Sequence, residues 1–341
     1  MYIVIVNLLF IEILSFLLFE NNFVLTNEMY RDSWFDCSDC RKFIYNPRLG
    51  WDNPYPDGIR PPYNIVDGAC GAAFGDSFTN GDEVADSEAW PRLLSDLMGC
   101  EIFNYGVGGY GQDQALSKYE MVKPNNKYVF IGINQEMMRR NFAASNRFYG
   151  GEKNSFPKPY YVRENDKLTL ISPPGALQAD LIKKHHDQDR YYTLFDIHFP
   201  YSISLAKVVY NRIDASSFKL NRIMPREIAW TLDESVEKSR KILDIFLANV
   251  RRDGMIPVVI LFPEPHHVHD NQKPYKPFMD SLRRDDPDLC IVDPFESLRA
   301  FYEKQGMLNA PYGHFNGAGN AAIASAVYKA VNETCPRKNE S

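Results

Sequence analysis

Ala72-Ala73-Phe74-Gly75-Asp76-Ser77-Phe78-Thr79 decides how the rest of this chain is read. A short apolar run, led in by Ala69, Gly71, Ala72 and Ala73, stops at a glycine. A carboxylate, a hydroxyl and an aromatic follow. Small and apolar residues broken by Gly-Asp predict a buried strand entering a sharp turn. Such a turn puts Ser77 at the C-terminal edge of a sheet, where open α/β folds hold their ligands. Position 79 is Thr, so this is not the G-x-S-x-G elbow of the α/β-hydrolases. Taken alone, the stretch also fits an Asx-type turn at a strand end.

Working outward, strands alternate with helices. The helical spacing of Trp90, Leu93, Leu94 and Leu97 predicts a helix over 90–98. A strand is expected at Cys100–Tyr105 and a helix at Gln112–Met121. Lys127–Ile133 is a continuous apolar run, as in a strand buried on both faces. After an interruption come a helix at Asp233–Arg252, a strand at Ile256–Phe262 and a helix at Lys276–Arg284. A strand at Leu289–Val292 and helices at Glu296–Gln305 and Gly317–Val331 complete the series. This rhythm predicts an α/β fold: a three-layer α/β/α sandwich on a parallel sheet of about five strands. Residues 139–230 break it. Tyr160–Val162 and Lys167–Ile171 read as a hairpin around Glu164-Asn165-Asp166. The whole stretch reads as an insertion at the active-site end, either a substrate-binding lid or a packing element.

Three later stretches join the first: Asn104-Tyr-Gly-Val-Gly-Gly-Tyr-Gly111, Gly132-Ile-Asn134 and Gly313-His-Phe-Asn-Gly317. With Phe74-Gly-Asp-Ser77, they resemble the four blocks of the SGNH (GDSL-type) hydrolases, in the right order, over roughly residues 65–332. The Asn46-Pro-Arg-Leu-Gly-Trp51 lead-in resembles that of the family's membrane-anchored members. The resemblance implies the flavodoxin-like SGNH fold and a serine esterase without a cofactor or metal. Ser77 would be the nucleophile and His314 its base, since a serine hydroxyl attacks well only when a base takes its proton. The oxyanion hole would use the backbone N–H of Ser77, that of Gly109 (or the adjacent Gly108) and the side-chain amide of Asn134. Asn134 has a second reading as a helix cap. Asp76 is expected to accept loop hydrogen bonds and is not assigned as the triad acid.

The family usually carries Asp three residues before its histidine. Here that position is Pro311, and no carboxylate lies between Glu303 and His314. Three outcomes are open: a distant carboxylate such as Asp293 or Glu296, a Ser–His dyad completed by a backbone carbonyl of residues 309–312, or an unsupported base. The dyad is the expectation, because Pro311 stiffens the loop.

Composition bounds the remainder. The 341 residues are 45% hydrophobic and 24% charged with net charge −6, enough for a large core. No Lys/Arg block stands out, which argues against nucleic acid. Residues 1–19 are apolar apart from Asn7, Glu12 and Ser15, and no Lys or Arg precedes Arg31. Residues 1–22 are read as a membrane anchor or signal segment, 23–64 as an extended connector, and 65–335 as the hydrolase domain. Cys37 and Cys40 are spaced for a disulfide if the domain is exported; most of Cys70, Cys100, Cys290 and Cys335 read as buried thiols. His185-His186 reads as solvated. His266, His267 and His269, with Glu264 and Asp270, converge poorly for a metal. The expected substrate is a carboxylic ester, such as an O-acyl group on a glycan, outside the cytoplasm. O-acyl transfer to a polysaccharide and a carbohydrate-binding pseudoenzyme are the alternatives.

Overall fold

The structure is a computed structural model and describes residues 2–20, 43–63, 69–145, 156–165, 167–175, 181, 185, 199–206, 228–306 and 313–335. The chain divides into two compact units. One holds residues 52–141 and 226–341; the other holds 1–51 and 142–225. Cys37, Cys40, His186 and Pro311 lie outside the described residues.

The first unit is the expected α/β sandwich. Its strands are β3 (Gly71–Phe74), β4 (Ile102–Asn104), β5 (Tyr128–Ile133), β8 (Ile256–Leu261) and β9 (Cys290–Val292); β1 (Ile44–Asn46), β2 (Gly50–Asp52), β6 (Tyr160–Glu164) and β7 (Lys167–Ile171) are short strands outside this sheet. The order is β4-β3-β5-β8-β9, and every pair is parallel. Counted along the chain, the first strand of the sheet sits second. The crossovers run one way from β3 to β4 and the other way afterwards, so right-handed connections put helices on both faces. The helices are α2 (Ser77–Asn80), α3 (Trp90–Met98), α4 (Gln112–Val122), α5 (Gln135–Arg140), α6 (Asp233–Arg252), α7 (Pro265–His269), α8 (Lys276–Asp285), α9 (Phe295–Gln305) and α10 (Gly317–Lys329). α10 packs on α3 and α9, and α6 packs on α4 and α5. Ile242, Leu243, Phe246, Leu247 and Val250 of α6 are buried, one stripe at helical spacing.

Pro257 stands in β8, an inner strand, where a missing N–H normally breaks the ladder. Here Ile256 N–H donates to Lys127 O on the β5 side, so position 257 faces β9. The β9 pairing begins only at Val258↔Cys290. The proline therefore sits one residue before its neighbour needs a donor.

Residues 52–63 belong to this unit. Asp52 takes the buried Lys118 amino group at 2.5 and 2.6 Å, which fastens them to α4. Burial pushes the Lys118 pKa down, against the pull of Asp52. Asn53 Nδ2 donates to Gly106 O (2.8 Å) and Asn80 Oδ1 (3.2 Å), linking the segment to the loops that follow β4 and α2.

The cysteines depart from expectation. Cys70–Cys100 and Cys290–Cys335 are disulfides, not buried thiols. Cys70 and Cys100 precede β3 and β4, and Cys290 opens β9, so both bridges lie at the N-terminal edge of the sheet. Closing loops of this span stabilises by about 3–4 kcal/mol each in the chain-entropy model.

The second unit contains α1 (Tyr2–Glu20) and the antiparallel hairpin β6 (Tyr160–Glu164) and β7 (Lys167–Ile171), turning at Asn165 with φ +48°. Glu12, in the middle of apolar α1, accepts from the backbone N–H groups of Tyr201 (2.6 Å) and Ser202. Among the described residues no helix is long and apolar enough to cross a membrane.

His185 corrects another expectation, since it is buried rather than solvated. Its Nε2–H donates to Lys158 O at 2.9 Å, and burial holds its pKa down to about 4. An unfolded histidine titrates near 6.5. Below that pH the unfolded chain takes up a proton that the folded chain refuses. The stability is therefore complete above about pH 6.5 and lost as pH falls toward 4, by roughly 3 kcal/mol. Melting curves across pH 4–7 should show this loss, reduced in His185→Gln. Equal slopes for the two proteins would refute it.

Candidate active site

The sheet order places a topological switch between β3 and β5, the crevice position that α/β sheets use for ligands. Ser77 follows β3 and Asn134 follows β5, so the two flank it at the C-terminal edge.

The turn after β3 is built for abrupt reversal. Gly75 has φ +153°, and a Cβ there would lie 2.2 Å from Thr79 Oγ1. Asp76 is the N-cap of α2, with Oδ1 accepting from Phe78 N–H at 3.0 Å. That leaves Ser77 as the first residue of the helix, 6% exposed. Gly81, with φ +82°, ends the helix by donating to Ser77 O at 2.9 Å.

Asp76 does more than hold its own loop. It is 0% exposed, and its Oδ2 accepts from Asn134 Nδ2 (2.9 Å) and Arg140 Nη1 (2.9 Å). The same Arg140 nitrogen donates to Tyr110 O at 3.1 Å. One carboxylate thus ties together the ends of β3 and β5, and through Arg140 the loop after β4. In that loop Gly109 takes φ +80°, a conformation that favours glycine, and Tyr110 N–H closes onto Val107 O. Gly109 is half-buried and Gly108 buried.

Asn134 fulfils the capping reading. Its Oδ1 accepts from Met137 N–H at 2.9 Å at the start of α5. That bond fixes the amide orientation, so the NH₂ group faces Asp76 and the nucleophile turn. One of its two hydrogens goes to Asp76.

The His314 loop is anchored by the residues after it. Phe315 is buried, Asn316 caps α10 through Gly319 N–H (3.0 Å), and Asn320 Oδ1 accepts from Trp90 N–H of α3 (3.1 Å). Phe78, next to Ser77, meets the His314 ring at 5.2 Å, Phe315 at 5.6 Å and Phe262 at 5.9 Å between centroids. An aromatic cluster therefore seats the histidine loop on the helix that carries Ser77. Among the described residues no hydrogen bond joins Ser77 Oγ to His314. Such bonds often tighten only with substrate bound.

The dyad expectation is overturned. His314 Nδ1 is hydrogen-bonded to Glu83 Oε1, a carboxylate rather than a backbone carbonyl. Asp293 and Glu296, the distant candidates, are engaged elsewhere. Asp293 accepts from Tyr275 OH (2.7 Å) and Lys273 (3.3 Å), and Glu296 from Lys273 (2.8 Å). Burial beside Asp293 pushes the Tyr275 hydroxyl far above its ordinary pKa. The histidine cluster at 266–269 lies in α7, where His267 Nδ1 accepts from Glu264 N–H at 3.2 Å. Burial lowers the His267 pKa to about 4.

Sequence reasoning missed Glu83, Arg140 and Arg60. Arg60 is buried and grips the loop after α2. Its Nη1 donates to Asn80 O and to Gly81 O (2.5 Å), its Nη2 to Val84 O (2.8 Å) and its Nε to Asp86 (2.9 Å).

No family model and no curated protein matches this chain. Solved structures of similar shape include three lipolytic or esterase proteins. A member of the lipolytic protein G-D-S-L family from Veillonella parvula is 12% identical over 77% of this chain and 97% of its own, with TM-score 0.40. The acetyl xylan esterase AlAXEase is 13% identical over 76% and 98%, with TM-score 0.40. A mutant of the esterase AlinE4 is 14% identical over 80% and 100%, with TM-score 0.37. Likenesses this distant carry no argument about chemistry, which must come from the residues.

Proposed function

We propose that the chain is a serine esterase of the SGNH type, cleaving carboxylic esters with Ser77 as nucleophile and His314 as base. The observation that carries this reading is the single carboxylate, Asp76, that binds the serine turn, the Asn134 amide and, through Arg140, the glycine loop at the sheet's switch point. Three of the four sequence blocks meet there, and the fourth seats its histidine ring against Phe78.

The chemistry follows from the groups present. His314 Nε2 takes the Ser77 Oγ proton as Oγ bonds to the ester carbon. The carbonyl π pair moves onto oxygen, and the tetrahedral oxyanion is met by the N–H groups of Ser77 and Gly109 and the remaining Asn134 amide hydrogen. Collapse expels the alcohol, which takes the proton from Nε2. Water then repeats the sequence on the acyl-enzyme and frees the acid and Ser77. An O-acylated glycan is the proposed substrate class. The pseudoenzyme reading rested on the absent acid near His314, and Glu83 removes that reason. Two disulfides favour an oxidising, extracytoplasmic location, with the apolar N-terminal segment as its membrane attachment.

A fluorophosphonate probe tests the reading, because it labels a serine only when a base activates it. Labelling confined to Ser77, and blocked by prior acylation with a p-nitrophenyl ester, is expected. A protein that neither labels nor turns over any p-nitrophenyl ester or acetylated glycan is not this enzyme.

A further inference from the structure

We infer that Glu83 is the acid that orients the catalytic histidine and faces the imidazolium it becomes, so the third member of the triad sits on the nucleophile's loop instead of the base's. This rests on the Ser77–His314 reading and adds a residue to it. The bond from His314 Nδ1–H to Glu83 Oε1 spans 231 positions of sequence. Both side chains are shielded without being sealed, at 22% and 15% exposure. With Nδ1–H held by the carboxylate, Nε2 carries the lone pair that Ser77 Oγ–H needs. When the proton moves to Nε2, the new imidazolium lies against the Glu83 carboxylate.

The backbone at Glu83 supports a functional reason for the residue. Glu83 has φ +71°, in the left-handed region where an unbranched acid gains nothing over glycine. The conformation is imposed by its surroundings. Gly81 turns the chain back after α2, Asp82 N–H donates to Ser77 O (3.0 Å), and Asn80 Nδ2 donates to Asp82 Oδ1 (2.5 Å). Arg60 then clamps the carbonyls of Asn80, Gly81 and Val84 and the Asp86 carboxylate. Arg60 also pairs its charge with Asp86 in the acidic stretch of Asp82, Glu83, Asp86 and Glu88. Nucleophile and acid therefore stand on one short braced turn. Their mutual geometry is set locally, and the histidine docks onto both through its contact with Phe78. This supplies what Pro311 withholds from the base's own loop.

The test compares Glu83→Gln, Glu83→Asp and Glu83→Gly with the parent. Readouts are p-nitrophenyl ester turnover, the rate of fluorophosphonate labelling, the low-field proton resonance of His314 Nδ1–H, and melting temperature. Glu83→Gln should lower kcat by roughly 10²–10⁴-fold with KM little changed, slow labelling in parallel and abolish the low-field resonance. Glu83→Asp should recover part of the lost rate. Glu83→Gly should lose activity while melting no lower than Glu83→Gln, because glycine relieves the left-handed backbone. If the parent labels at Ser77 and Glu83→Gln labels equally fast, this inference fails and the esterase reading stands. If the parent does not label at all, the esterase reading itself has failed. If activity in the three variants tracks melting temperature alone, Glu83 is structural and the inference is wrong.

Discussion

Ser77→Ala removes ester hydrolysis, by about 10⁶-fold where the serine and its base carry the reaction as a unit. The substitution deletes one oxygen. That oxygen makes no hydrogen bond to His314 in the free protein, and the backbone bonds from Gly81 and Asp82 to Ser77 O survive the change. Ser77 also opens α2, where alanine is a good helix former. The melting temperature should therefore stay close to the parent's while turnover and fluorophosphonate labelling both vanish. The measurement is burst-phase and steady-state kinetics on a p-nitrophenyl ester, beside a melting curve. A variant that keeps more than a small fraction of the parent rate would show that Ser77 is not the nucleophile.

The fold was legible where local pattern and tertiary role agree. Asp233–Arg252 matches its expected helix to the residue, because acidic residues open it, arginines close it and the buried stripe recurs at helical spacing. The apolar runs at Tyr128–Ile133 and Ile256–Leu261 are inner strands with neighbours on both sides, so they read as unbroken hydrophobic segments. What sequence could not give was long-range pairing. The position of β3 between β4 and β5 follows from how crossovers reverse, which no local window records. The disulfides hid for a similar reason: Cys70 and Cys100 are separated by 30 residues, Cys290 and Cys335 by 45, and each looks like a small core residue in its own context. Pro257 shows the converse, a local signal against a strand that the staggered start of β9 makes harmless.

The site was half legible. Ser77, Gly109, Asn134 and His314 were expected from motif blocks, each of which has a local backbone job: a cap, a left-handed turn or a loop before a helix. Glu83 has no motif. Its pairing with His314 depends on the last helix packing back on α3 and the 86–88 turn, which the sequence around the histidine does not contain. The available clue was local to the serine. A glycine closing a short turn, followed at once by Asp82 and Glu83, brings carboxylates back beside the nucleophile. Arg140 was hidden because its charge is answered by Asp76, 64 positions earlier.

Asp76→Ala should be the most destabilising single change at the site, by about 3–5 kcal/mol, because it leaves a largely buried guanidinium without its carboxylate. Asp76 and Arg140 side chains are only 1% and 13% exposed, so water cannot compensate as it does for surface pairs. The same change takes the acceptor from Phe78 N–H and from Asn134 Nδ2. The melting temperature should fall on the order of 10 °C. Asp76→Asn keeps the shape but offers one acceptor oxygen where the parent offers two, so it should fall between alanine and the parent. Arg140→Ala in the Asp76→Ala background should cost less than in the parent, since the two residues share one interaction. This pattern separates a structural acid from a catalytic one. Were Asp76 the orienting acid of the histidine, Asp76→Asn would lose turnover with stability intact, as expected of Glu83→Gln. Located instead beneath the serine turn, Asp76 should lose stability first, with activity falling as the Asn134 amide and the turn come loose together. A melting curve for Asp76→Ala within a degree or two of the parent's would overturn this assignment.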